Sequence, residues 1–133
     1  MVDTEMARLV LVVEDSPSVA ANLEIALAAV EDLEVIIARS GLEAIGMLEG
    51  NDAPQVAAVI TDLDMPKMDG FELISRLRAN PRYARTPIIV SSGSTDPDSR
   101  GRALRLGANA YFAKPYSPLE LCKLLVRLLQ ENP

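Results

Sequence analysis

The chain has 133 residues, enough for about one ordinary domain, and its 49% hydrophobic and 24% charged residues give a globular rather than a disordered balance. A formal charge of −6, from 13 basic and 19 acidic side chains, argues against binding nucleic acid or anionic lipid with the domain as a whole. There is no histidine and one cysteine, Cys122, which excludes Ser-His-Asp and Cys-His catalysis, imidazole metal sites, a phosphohistidine on this chain and any internal disulfide.

In chain order, residues 1–8 lack the apolar stretch of a signal peptide, and no apolar run approaches the ~18 residues of a membrane helix, so a cytoplasmic, non-membrane location is expected. Residues 9–13 are five apolar residues in a row and read as a strand buried on both faces. Ser16 and Ser18 offer helix caps and Pro17 suits a first turn; Val19, Leu23, Ala26, Leu27 and Val30 then share a helical face. A second strand follows at 35–38, and a short helix at 41–48 ends at Gly50-Asn51-Asp52. The third strand, 56–60, precedes a helix marked by Phe71, Ile74 and Leu77 and stopped by Asn80-Pro81. The fourth strand is 88–90. The fourth helix, roughly 97–106, is the weakest, with Gly101 inside it. A fifth strand at 110–113 leads to the strongest helix, where Leu121, Leu124, Leu125, Leu128 and Leu129 recur at helical spacing. Cys122 sits in that leucine-rich segment and is expected as a small buried residue, compatible with a reducing cytoplasm.

Five strand–helix units with right-handed crossovers predict an α/β fold: a doubly wound, five-stranded parallel sheet, flavodoxin-like, with five helices. A single domain over 1–133 is expected, with its core at about 7–130. In the order 2-1-3-4-5, strands 1, 3, 4 and 5 are contiguous, and sites form beyond their carboxyl ends. Strand 1 runs into Glu14-Asp15, and strand 3 into Thr61-Asp62, with Asp64 two residues on. Strand 4 ends at Ser91-Ser92-Gly93 and strand 5 at Lys114-Pro115. Two carboxylates ~5 Å apart repel by about 3 kcal/mol at an effective dielectric near 20, so such a cluster needs protons or a cation. Oxygen-only ligands favour a hard divalent ion, Mg²⁺ ahead of others because it retains waters for an incoming phosphate. A carboxylate beside that charge, a lysine and a hydroxyl can act as a nucleophile toward phosphorus. Taken singly, each residue has a plainer reading: Asp62 and Glu14-Asp15 as loop or capping acids, Lys114 as a surface lysine, Ser92 as a turn residue.

Four segments, VVEDSP (12–17), ITDLDMPKMDG (60–70), PIIVSSG (87–93) and GANAYFAKPYS (107–117), resemble the receiver domain of two-component response regulators, over about residues 7–130. The resemblance implies Asp62 as phosphoacceptor, Glu14 and Asp15 as the acidic pair for Mg²⁺, with Asp15 the more direct ligand, and the backbone carbonyl of Asp64 completing the set. It implies Ser92 as switch hydroxyl, Lys114 as the lysine that pairs with the phosphoryl group, a cis peptide bond before Pro115, and Tyr111 as the aromatic switch. Phosphorylation would then change a partner-binding surface on helix 4, strand 5 and helix 5. Asp64 and Ser94 fall at the two positions that tune autodephosphorylation in such proteins, and Ser92 stands where threonine is commoner.

The expected partners are a histidine kinase or histidine phosphotransfer protein as donor and a downstream protein target, with no direct nucleic acid contact. A stand-alone receiver is the first reading, and a receiver segment of a larger regulator or hybrid kinase the second. An Asp-x-Asp phosphatase built on Asp62-Leu63-Asp64 is the third, disfavoured because that motif should follow the first strand and because Pro66 replaces the Thr or Val expected two residues on. Self-phosphorylation and self-dephosphorylation would make the chain an enzyme only in a restricted sense. A phosphorylation-independent interaction domain is the least consistent with these acids and Lys114. Arg100, Arg102 and Arg105 in the fourth helix read either as a solvated face or as a contact patch for an acidic partner.

Overall fold

The computed structural model describes residues 7–131; the ends of the expected 1–133 domain, residues 1–6 and 132–133, lie outside the described residues. Strands and helices alternate along the chain: β1 (Arg8–Val13), α1 (Pro17–Ala28), β2 (Leu33–Ala38), α2 (Gly41–Leu48), β3 (Val56–Thr61), α3 (Gly70–Ala79), β4 (Ile88–Ser92), α4 (Ser99–Leu106), β5 (Ala110–Ala113) and α5 (Pro118–Glu131). The five strands form one parallel sheet in the order β2-β1-β3-β4-β5, which is the expected doubly wound topology. Among the described residues no helix is long and apolar enough to cross a membrane.

Because successive strand residues point to opposite faces, the continuous apolar runs supply two cores. On one face Leu11, Val13, Val59, Ile88 and Val90 pack with Leu48 of α2, Leu73, Ile74 and Leu77 of α3 and Ala103 of α4. On the other, Val10, Val12, Ala58, Ile60 and Ile89 meet Leu23 and Leu27 of α1 and Leu121, Leu125 and Leu129 of α5. Full burial of each such side chain stabilises the fold by roughly 1.5–3 kcal/mol. Cys122 is buried and unpaired.

Three helix starts follow their capping residues. Ser16 accepts from the Val19 N–H, Ser40 from Glu43 and Asp69 from Glu72, each satisfying a donor the helix cannot pair internally. In α1 the buried positions are Ala20, Leu23 and Leu27, whereas Val19 and Ala26 are only part-covered, and Val30, expected on the same helical face, lies beyond the end of the helix. The fourth helix begins at Ser99, not near residue 97. Residues 96–99 form a turn instead, in which the Asp98 N–H donates to the Asp96 carboxylate and the Ser99 N–H to the Asp96 carbonyl.

Little apolar surface holds α4, since its buried residues are Ser99 and Ala103. Arginines compensate. The Arg102 guanidinium lies 4.0 Å from the Phe71 ring centroid on α3, and that of Arg100 lies 5.9 Å from the Tyr111 ring. Two of the three expected surface arginines therefore cover aromatic rings, a contact of about 0.5–1 kcal/mol each at exposed sites, and Arg105 stays exposed. Arg78 ties the far end of α4. It donates to the Gly107 carbonyl (3.1 and 2.8 Å), the Tyr83 and Thr86 carbonyls (both 2.8 Å) and Asn109 Oδ1 (3.0 Å). Gly107, at φ 120°, caps α4 beside that side chain, a backbone angle that favours glycine.

Candidate functional site

The ladder continues one residue beyond three strand ends, and this places the site. The Glu14 N–H donates to the Ala38 carbonyl (2.9 Å), Asp62 N–H to Val13 (3.0 Å) and Lys114 N–H to Ser92 (2.7 Å). Glu14, Asp62 and Lys114 thus leave the carboxyl edge of the sheet from β1, β3 and β5 at one level. Glu14 and Asp62 are 2% and 6% exposed, while Asp15 faces solvent. One carboxylate oxygen from each of Glu14, Asp15 and Asp62 lies within 4.8 Å of the others. Lys114 Nζ reaches into the group, 3.1 Å from Glu14 Oε1 and 3.6 Å from Asp62 Oδ2.

The free oxygens differ between the acids. Asp62 Oδ1 accepts the Leu63 and Asp64 N–H groups (2.7 and 3.2 Å), which turns Oδ2 toward Lys114. Both Glu14 oxygens have partners, Lys114 on one and the Ser16 N–H (3.1 Å) on the other. Ser92, fully buried at the end of β4, accepts the Ser94 N–H at 3.0 Å. Ser94 Oγ lies 3.0 Å from Ser99 Oγ at the start of α4, so Ser92 is connected to that helix through the backbone N–H and hydroxyl of Ser94. Asp64 is exposed. Tyr111 stands apart from the acids, half-buried on β5, with its carbonyl accepting from Arg100 at 3.4 Å. The Lys114–Pro115 peptide bond is cis.

Three carboxylates face one ammonium, so the pocket is under-compensated. Burial holds the Glu14 carboxyl above its ordinary value, and the Asp62 charge adds to this against the Ser16 N–H and Lys114. Burial raises Asp62 likewise, opposed by the Asp64 and Leu63 N–H groups and by Lys114. Partial burial pulls Lys114 down, but Asp62 and Glu14 outweigh it and hold the ammonium above its ordinary range. A hard divalent cation fits this donor set: oxygen atoms only, anionic excess, one acid open to solvent.

Carboxyls raised in the folded state bind protons more tightly there than in the unfolded chain. Their contribution to stability is full below the unfolded pKa and is lost as pH rises through the folded value. Without divalent metal at pH 7, Asp62→Asn is therefore expected to stabilise the fold by about 1 kcal/mol, roughly 4 °C in melting temperature. The gain should shrink as pH falls and Asp62 takes up its proton; thermal melts in EDTA from pH 4 to pH 8 check this, and a gain that grows toward low pH would contradict it.

Gly70, the first residue of α3, is pressed against the pocket wall. A Cβ there would collide with the Asp62 carbonyl oxygen and come within 2.7 Å of Leu63 Cα. Gly70→Ala is expected to destabilise by about 1–3 kcal/mol and to weaken divalent-metal binding, because the colliding backbone carries Asp62; denaturant melts and calorimetric titration read both.

Two features here were not singled out by sequence reasoning. The Arg78 tether has no local signature, since its acceptors are mostly backbone carbonyls. The pairing of Ser91 with Tyr116 (3.0 Å) had one signal, a polar residue continuing an apolar strand run.

A flavodoxin-like sheet that gathers acids after its first and third strands and opposes them with a lysine after its fifth has the layout of a response regulator receiver. The family model for the response regulator receiver domain matches residues 10–126, and the chain belongs to that family, the CheY-like receivers of two-component signalling. It is 34% identical over 119 residues to a chemotaxis protein CheY homolog of Campylobacter jejuni, covering 90% of each chain. Among solved structures it is similar to the signal receiver domain of a signal transduction histidine kinase from Syntrophus aciditrophicus (TM-score 0.84, 31% identity, 94% of this chain and 92% of that one). It is also similar to the receiver domain of the sensor histidine kinase PA1611 of Pseudomonas aeruginosa, which has a magnesium ion coordinated in its active site cleft (TM-score 0.81, 27% identity, 93% and 98%).

Proposed function

We propose that the chain accepts a phosphoryl group on Asp62 from a phosphohistidine of a histidine kinase or histidine phosphotransfer protein, and that this switches a protein-binding surface on α4, β5 and α5. The observation that carries the reading is the buried Asp62 carboxylate with one oxygen tied to backbone N–H groups and the other turned to Lys114. Asp62 Oδ2 would attack phosphorus; the P–O bond forms as the donor P–N bond breaks, and the donor imidazole leaves with its electron pair. Lys114 would stabilise charge on the transferred group's oxygens, and Ser92, whose oxygen accepts from Ser94, would donate a hydrogen bond through its hydroxyl to one of them.

Glu14, Asp15, Asp62 and the Asp64 carbonyl would hold Mg²⁺, in keeping with the magnesium in the Pseudomonas receiver. When bound, the ion supplies the positive charge that lets these acids and a phosphoryl group share one pocket. Drawing Ser92 toward the phosphoryl group would break its bond from the Ser94 N–H. The Ser94–Ser99 contact would then carry the change to α4, and Tyr111, under the Arg100 guanidinium, would follow.

Incubation with acetyl phosphate and Mg²⁺, followed by intact-mass measurement and site mapping, tests the reading. One labile phosphoryl group on Asp62 is expected. Sustained turnover of a phosphate monoester would favour the Asp-x-Asp phosphatase instead. A second form of the reading, a receiver acting within a longer hybrid kinase, has the two histidine-kinase receivers on its side and the match over 90% of a chemotaxis CheY homolog against it.

A further inference from the structure

We propose that Ser91 and Tyr116 form a positioning pair that sets where Lys114 presents its ammonium to Asp62 and Glu14; the proposal rests on the receiver reading above. Ser91 is 1% exposed. It lies two residues after Ile89 on β4 and so points to the same face, where the neighbouring strand residues Val10, Val12, Ala58 and Ile60 are all apolar. A buried hydroxyl on such a face needs a partner, and Ser91 Oγ donates to Tyr116 Oη at 3.0 Å. The Tyr116 ring packs on the same apolar cluster, with its centroid 5.7 Å from that of Phe112 at 54°. Phe112 is itself the β5 register partner of Ser91.

Tyr116 therefore anchors the chain two residues beyond Lys114, and the Lys114 N–H to Ser92 carbonyl bond anchors it at Lys114 itself. Both anchors lie on adjacent residues of β4. The segment bearing the lysine is thus pinned from two sides, and the flexible side chain starts from a determined point. That matters because Nζ must stay near two carboxylates at once, 3.1 Å from Glu14 and 3.6 Å from Asp62. A displacement of about 1 Å in a reacting group costs rate out of proportion to its size. Neither Ser91 nor Tyr116 is a metal ligand or a reacting group, so their influence on the chemistry passes through Lys114.

The test compares wild type, Tyr116→Phe, Ser91→Ala and the double variant. It measures the phosphorylation rate from acetyl phosphate at saturating Mg²⁺, the Mg²⁺ dissociation constant by calorimetry, and the NMR signal of the Lys114 ε-methylene without phosphodonor. Each single variant is expected to slow phosphorylation about fivefold, to leave Mg²⁺ affinity within about twofold, and to shift or broaden the Lys114 signal. The double variant should be no slower than the worse single one, as a pair acting together requires. Singles at the wild-type rate, additive losses, a parallel fall in Mg²⁺ affinity, or an unmoved Lys114 signal each overturn the proposal. If the wild type takes up no phosphoryl group, the receiver reading fails, and the Lys114 signal alone still decides the positioning claim.

Discussion

Asp62→Asn is expected to take up no phosphoryl group from acetyl phosphate and Mg²⁺, and to bind no beryllofluoride, where the wild-type chain does both. The substitution is nearly isosteric. The amide oxygen can still accept the Leu63 and Asp64 N–H groups that hold Oδ1, so the local backbone has no reason to move. What disappears is the charged oxygen facing Lys114 at 3.6 Å, and an amide is a far weaker nucleophile toward phosphorus than a carboxylate. Loss of labelling together with a melting temperature at or above wild type would locate the chemistry at this oxygen. Persistent labelling at another aspartate would remove Asp62 from the role.

The second large effect is expected at Asp15. Asp15→Asn should weaken Mg²⁺ binding at least about 100-fold while leaving the fold intact, as read by calorimetry beside thermal melts. Asp15 is exposed and Glu14 is buried, yet Asp15 is the acid open to a cation. Glu14 already serves Lys114 and the Ser16 N–H with its two oxygens. Glu14→Gln should therefore cost less Mg²⁺ affinity and disturb Lys114 more. If Asp15→Asn bound Mg²⁺ as the wild type does, the ligand assignment would fail.

Buried parallel strands were readable because both faces are covered: the runs at 9–13 and 56–60 need no alternation and contain none, whereas β5 at the sheet edge, read from the same kind of run, is only half-buried with Ala113 exposed. The helix cap at Ser16 was readable for an equally local reason, since a side-chain oxygen two or three residues before a free N–H satisfies it without help from the rest of the chain; Ser18, the other cap the sequence offers, lies inside α1, and Ser40 and Asp69 emerge as caps only in the structure. The start of α4 was not. Asp96, Pro97 and Asp98 are all acceptable at a helix start, and the choice of a turn there follows from the Asp96 carboxylate and the Ser94–Ser99 contact, which depend on where β4 delivers the loop. The role of the α4 arginines was similarly hidden. Arg102 and Arg100 look like solvent-facing charges until α3 and β5 bring Phe71 and Tyr111 beneath them.

The order of residue types along the chain was enough to determine the strand–helix alternation, the acids and lysine at strand ends and the family to which they belong, because those features depend on periodicity and on what immediately follows each apolar run. Only the tertiary structure decided which oxygens remain free, that Glu14 is engaged and Asp15 open, and that Ser91 meets Tyr116 across 25 residues. Such contacts join segments that the sheet makes neighbours. Their distances and burial follow from strand register and helix packing, which no local stretch of sequence encodes by itself.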